Sequence, residues 1–126
     1  MSYLCLFDLD GTVYRGNSPI EGAVKFINRL KENDIKFKFI TNRSDRSSEE
    51  VSIHLTKMGV PSNPNLVITS AMATAAATKG RRVYVIGSNN LRDNILESGA
   101  IITPDNPEDV VVGFDSKTNF DDIQNA

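Results

Sequence analysis

Two aspartates, Asp8 and Asp10, stand one residue apart at the end of an apolar run, in Phe7-Asp8-Leu9-Asp10-Gly11-Thr12. Alternate side chains of a strand leave by the same face, so the two carboxyls converge while Leu9 points away. Convergent carboxyls have three uses: holding a hard cation, attacking an electrophile, or passing a proton. In an open parallel sheet, ligands gather at the carboxyl ends of strands, which is where this pair falls. Gly11 has no Cβ and lets the backbone come close to a ligand. Asp and Gly also make ordinary polar turns. The apolar lead and the following Thr12 favour the chemical reading. A second polar cluster, Thr41-Asn42-Arg43-Ser44, closes the next apolar alternation. A hydroxyl and neighbouring N–H groups there suit phosphate oxygens, although the same residues also make a plain strand-to-helix turn.

The elements that must hold these residues read as alternating strands and helices, the pattern of an α/β fold with a mainly parallel sheet. Tyr3 to Phe7 reads as a central strand covered on both faces. Ala23, Phe26, Ile27 and Leu30 recur with helical spacing. Ile35 to Ile40 alternates Lys36 and Lys38 with Phe37 and Phe39, a strand with one solvated face. Ser47 and Glu50 have capping-box spacing before a helix carrying Val51, Leu55 and Met58, which Gly59 ends. Beyond Pro61 and Pro64, Leu66 to Ile68 reads as a short strand, and Ser70 as the cap of a helix through Ala77. A second series follows: strand Val83 to Ile86, helix Leu91 to Glu97, strands Ala100 to Thr103 and Val110 to Val112, and a helix starting near Phe120. Gly87-Ser88-Asn89-Asn90 lacks the P-loop lysine and the dinucleotide glycine spacing, and reads as a helix-start turn.

Composition narrows the function classes. Fourteen Lys and Arg against sixteen Asp and Glu give a net charge of -2 over 126 residues, whereas non-specific nucleic-acid binding needs a positive excess. No apolar run approaches the roughly 20 residues of a membrane span. With one cysteine and one histidine, no internal disulfide or Cys/His zinc cluster can form. Cys5 is expected to be buried and inert, and His54, on the face of Val51, Leu55 and Met58, to be a boundary residue rather than a catalyst. The N-terminus shows no secretion-signal pattern. The expectation is a cytoplasmic protein that binds neither nucleic acid nor membrane.

The segment Phe7-Asp8-Leu9-Asp10-Gly11-Thr12-Val13-Tyr14-Arg15-Gly16 resembles the first motif of the haloacid dehalogenase (HAD) superfamily of phosphohydrolases. Pro19 through Gly22-Ala23, and the strand ending Ile40-Thr41-Asn42, resemble its p-nitrophenyl phosphatase-like branch. Thr69-Ser70-Ala71, Val83 to Gly87 and Val111 to Asp115 resemble the first half of that branch's class II (IIA) cap. The resemblance implies a Rossmann-like parallel sheet, with residues 1–72 as the N-terminal part of the core and 73–126 as the beginning of the cap. It implies Asp8 as nucleophile, forming an aspartyl-phosphate, and Asp10 as the acid and base. Magnesium would sit on the Asp8 carboxylate and the Asp10 main-chain carbonyl. Gly11, Thr41, Asn42 and Arg43 would meet the phosphate of a small phosphorylated metabolite; the branch often carries a second Asn where this chain has Arg43.

The resemblance also implies a downstream lysine and a Gly-Asp motif. Val110 to Asp115 is the nearest lookalike, but Phe114 separates the glycine from the aspartate and the segment matches a cap strand, so Asp115 is not assigned to the metal. With Asp8 and one carbonyl as its ligands, magnesium is expected to bind weakly. An open edge on the first strand invites self-association, through that edge or the cap. The leading expectation is a magnesium-dependent phosphomonoester hydrolase represented by its N-terminal part. The alternative is a non-catalytic fragment that binds phosphate or a partner chain. A phosphoacceptor signalling domain is less apt, because such domains separate the acidic cluster from the acceptor strand.

Overall fold

Short apolar strands and amphipathic helices alternate along the chain in the computed structural model, which describes residues 3–125. In chain order they are β1 (Leu4–Asp8), a hairpin of β2 (Tyr14–Arg15) and β3 (Ser18–Pro19), α1 (Ala23–Glu32), β4 (Lys36–Thr41) and α2 (Ser48–Lys57). A 3-10 turn at Pro64–Leu66 leads to β5 (Val67–Thr69), α3 (Ser70–Ala77), β6 (Arg82–Ile86), α4 (Asn89–Glu97), β7 (Ile101–Ile102), β8 (Asp109–Val112) and α5 (Phe120–Gln124). The α/β class and the parallel pairing are those expected. The chain divides into two compact units: residues through Thr41 with Ser48–Ile68, and Asn42–Ser47 with Thr69 onward.

In the first unit the strand order is β1-β4-β5. β1 and β4 are parallel, from Leu4 opposite Lys36 to Asp8 opposite Ile40. Parallel neighbours need crossovers, and these are right-handed, so two steps in one direction carry α1 and α2 to the same face of the sheet. Ile27 and Leu30 of α1 and Val51 and Leu55 of α2 accordingly join Phe37, Phe39, Leu9 and Val67 in one buried cluster. The other face stays open. Leu4 and Leu6 are 53% and 55% exposed. This corrects the expectation of a first strand covered on both faces: β1 is the outer strand of its sheet among the described residues, and both helices cover the Phe37 and Phe39 side. Cys5 is partly rather than fully buried for the same reason. Phe26 lies at the margin of the α1 stripe, with its ring 6.1 Å from that of Phe7.

The β2–β3 hairpin gives no periodic signal, because two-residue strands are too short for one. Tyr14 is buried in it and meets His54 edge-on at 4.9 Å. Nε2 of His54 lies 3.0 Å from the Gly16 carbonyl oxygen. His54 thus braces the hairpin from a half-buried position on α2.

In the second unit β6 lies between β7 and β8, parallel to both. Ala71, Val83, Val85, Leu91, Ile95 and Ala100 form its core. The cap of α3 is Thr69, whose side chain accepts from the Met72 N–H at 3.3 Å, not Ser70 as expected. Ser70 is the first helical residue, and its hydroxyl donates to the Asn42 carbonyl at 2.8 Å. Ser88 caps α4, in agreement with the helix-start reading. Among the described residues no helix is long and apolar enough to cross a membrane.

Candidate active site

The Asp8–Asp10 turn is built from the core outward. Leu9 is fully buried, which turns the flanking Asp8 and Asp10 outward together, both exposed. The Leu9 carbonyl accepts the N–H groups of Thr12, Val13 and Tyr14 at 3.1, 2.9 and 3.3 Å, and the Gly11 N–H reaches the Tyr14 carbonyl at 2.8 Å. This tight turn requires φ = 87° at Gly11, a left-handed conformation that glycine adopts without steric cost. Thr12 was not assigned a role from sequence. Its hydroxyl donates to Asp8 Oδ2 at 3.2 Å, which orients the carboxylate and leaves Oδ1 for other partners.

Thr41 ends β4 one residue past Ile40, the partner of Asp8 across the parallel pair. Asp8, Asp10, Gly11 and Thr41 therefore share the carboxyl end of one sheet, with Thr41 buried. Asn42 and Arg43 follow directly in the chain and belong to the second unit. There the Arg43 guanidinium faces Asp45 with two N–H donations, Nε to Oδ1 and a terminal nitrogen to Oδ2, each 3.2 Å. That hydrogen bonding, against the opposing effect of burial, holds the Asp45 carboxyl below its usual range.

The segment 42–47 is fixed by groups distant in sequence. Asn90 Nδ2 donates to the Ser44 and Arg46 carbonyls at 2.8 and 3.0 Å. Ser88 Oγ donates to the Ser44 carbonyl at 3.2 Å, and the Phe114 N–H to Ser44 Oγ at 3.3 Å. Local pattern could suggest Ser88 as a helix cap, but nothing in it marks Asn90 as an anchor. Asp115, the unassigned aspartate, accepts from the Lys117 N–H at 2.9 Å in a local turn. Among the described residues no three His, Cys, Asp or Glu side chains cluster as a metal cage. The oxygen donors of the Asp8–Asp10 turn suit a hard cation that keeps much of its water, as magnesium does.

Residues 5–101 match the family model described as haloacid dehalogenase-like hydrolase. The chain belongs to the haloacid dehalogenase-like hydrolase family. Within it, the chain is 36% identical to the acid sugar phosphatase of Staphylococcus saprophyticus, over 96% of this chain and 49% of that protein. Among solved structures it resembles the 4-nitrophenylphosphatase of Thermotoga maritima, with 30% identity and a TM-score of 0.86, covering 98% of this chain and 49% of the other. It also resembles the glycerol phosphate phosphatase of Mycobacterium tuberculosis in complex with magnesium, with 31% identity and a TM-score of 0.81, covering 97% and 39%. These relatives place the chain with the NagD and p-nitrophenyl phosphatase (IIA) group of HAD-like hydrolases, as the motifs implied. The chain spans about half the length of the curated relatives it matches.

Proposed function

We propose that this chain carries the nucleophile and phosphate-binding half of a magnesium-dependent phosphomonoester hydrolase. The observation that carries the reading is the outward pairing of Asp8 and Asp10 about buried Leu9, on the sheet end that also presents Thr41. Residues 1–72 are read as the N-terminal part of the hydrolase core and 73–126 as the first part of its class II cap.

Asp8, oriented by Thr12, attacks phosphorus and displaces the alcohol, giving an aspartyl-phosphate. A carboxylate needs no base to make it nucleophilic. Asp10 gives the leaving oxygen its proton, then takes one from the water that hydrolyses the acyl phosphate. Thr41, Asn42, Arg43 and the Gly11 backbone hold the phosphoryl oxygens. The Asp8 carboxylate and Asp10 carbonyl would hold magnesium, which when bound neutralises repulsion between anionic nucleophile and anionic phosphate.

The experiment is magnesium-dependent release of nitrophenol from p-nitrophenyl phosphate, with Asp8→Asn and Asp10→Asn as variants. Asp8→Asn abolishes turnover, and Asp10→Asn lowers it by about 10²–10⁴-fold. Turnover retained in Asp8→Asn would sink the nucleophile assignment.

The exposed Leu4 and Leu6 on the uncovered sheet face favour a second reading, a fragment that binds phosphate or a partner chain, a second copy included. Phosphate binding with no turnover, together with a concentration-dependent change in sedimentation, selects it.

A further inference from the structure

Asp8 and Asp10 are held by different means. Asp8 is the last residue of β1, in register with Ile40 of β4, and its carboxylate accepts the Thr12 hydroxyl. Asp10 lies beyond that ladder, and both of its chain neighbours bond to one residue of the hairpin. The Gly11 N–H donates to the Tyr14 carbonyl at 2.8 Å, and the Tyr14 N–H donates to the Leu9 carbonyl at 3.3 Å. Asp10 and Tyr14 form the bridge between these two bonds. The backbone on each side of Asp10 therefore follows Tyr14, and the Asp10 carboxyl moves with it.

The hairpin is too short to fix Tyr14 unaided. It has two residue pairs, Tyr14 with Pro19 and Arg15 with Ser18, and an isolated two-stranded hairpin is marginal in water. His54 supplies an anchor from outside it. Val51 and Leu55 of α2 are buried in the core, so His54, beside them on the same helix, stands on a fixed base. Its ring meets the Tyr14 ring edge-on at 4.9 Å, with the planes at 90°. Its Nε2 lies 3.0 Å from the Gly16 carbonyl oxygen. A carbonyl oxygen only accepts, so Nε2 carries the proton and donates. One imidazole thus grips the hairpin at two points, the Tyr14 ring and the turn two residues on.

We propose that His54 is a positioning residue for Asp10, holding the proton-donating carboxyl through Gly16 and Tyr14 while Asp8 is held independently by the strand. The role of Asp10 rests on the proposed phosphatase reading; the brace itself does not. In the first step an Asp8 carboxylate oxygen bonds to phosphorus, the ester P–O bond breaks, and the Asp10 proton passes to the departing oxygen. An alkoxide needs that proton as the bond breaks, whereas p-nitrophenolate is a weak base and leaves without it. A hairpin loosened at Gly16 therefore slows an alkyl ester more than the nitrophenyl ester. A displaced nucleophile would slow both.

The test compares the full chain with two variants. His54→Phe keeps a ring against Tyr14 and removes the donation to Gly16, whereas His54→Gln keeps an N–H donor at similar reach. Hydrogen exchange at the Gly11 amide should quicken about threefold to tenfold in His54→Phe, the loss of one hydrogen bond. Amides of the β1–β4 pair should keep their protection, and His54→Gln should restore that of Gly11. In His54→Phe the first turnover of ethyl phosphate should slow about threefold to tenfold, and that of p-nitrophenyl phosphate by less than about twofold. The inference is overturned if Gly11 exchange is unchanged, if the β1–β4 amides quicken alike, if His54→Gln behaves as His54→Phe, or if both esters slow equally. Should His54→Phe fail to fold, the imidazole nitrogen shifts of the unaltered chain decide: a proton on Nε2 supports the brace, and a bare Nε2 overturns it. If the unaltered chain turns over neither ester, the phosphatase reading of this chain falls, while Gly11 exchange still decides whether His54 holds Asp10.

Discussion

Behind Asp8 the first unit buries Phe37, Phe39, Leu9, Ile27 and Leu55, whereas the second fills its centre with Ala71, Ala75, Val83, Val85, Leu91 and Ile95. Aromatic rings knit the first: Phe37 and Phe39 meet at 5.6 Å, and Phe7 reaches both. The second relies more on side chains bonded to backbone, with Asn90 and Ser88 on the 42–47 segment and Arg92 on the Val85 carbonyl at 2.5 Å. The difference follows the proposed division of labour. A nucleophile must be held within a fraction of an ångström, and close-packed apolar side chains supply that stiffness beneath the Leu9 turn.

The contrast can be broken at its strongest point first. Phe39→Ala removes a fully buried ring and should cost about 3–5 kcal/mol in chemical denaturation. A loss under about 1 kcal/mol would mean the first unit is not held by its aromatic core. In the second unit, Gly113→Ala drives a methyl against Leu91, itself 1% exposed, and Ser44. An overpacking loss of about 1–3 kcal/mol is expected, with amide shifts centred on segment 42–47.

Asn90→Ala sharpens the comparison from the polar side. It removes two donations to part-buried carbonyls, and about 1–2 kcal/mol should be lost. Hydrogen exchange should accelerate in residues 42–47 while the β1–β4 pair keeps its protection. Equal acceleration in both would show that the polar anchor serves the whole chain rather than one unit.

The smallest effect is electrostatic. Asp45 has its folded pKa lowered by Arg43 from an ordinary value of 3.8. It therefore contributes stability that is present above that value and lost as pH falls through the depressed folded value. The pair is partly solvated, with side-chain exposures of 39% for Arg43 and 21% for Asp45, so Asp45→Asn should cost below about 1 kcal/mol at neutral pH. The difference from the unaltered chain should vanish in acid; a difference that persists there would assign the loss to packing instead.

Much of this is legible in the sequence. Leu9, flanked by Asp8 and Asp10, carries its own instruction: strand alternation and one apolar residue suffice to turn two carboxyls outward. The lysine–phenylalanine alternation of Lys36 to Phe39 announced which face of β4 is buried. Coverage of β1 was misjudged, because an apolar run shows that burial suits a strand but not whether other elements lie over it. Ser70 was misjudged as a cap because Thr69 and Ser70 have the same capping chemistry, and local geometry chose between them. Thr12 was legible as part of a motif, but its bond to Asp8 was not.

By itself the sequence determined the alternating α/β order, the family, and the residues with chemistry to offer, since these depend on side-chain type and on periods of two and 3.6 residues. Only the tertiary structure decided that both helices of the first unit cover one face, that Asn90 holds a segment more than forty residues away, and that the Ser70 hydroxyl donates to the Asn42 carbonyl. Such contacts join residues far apart in the chain, and local propensity carries no information about them.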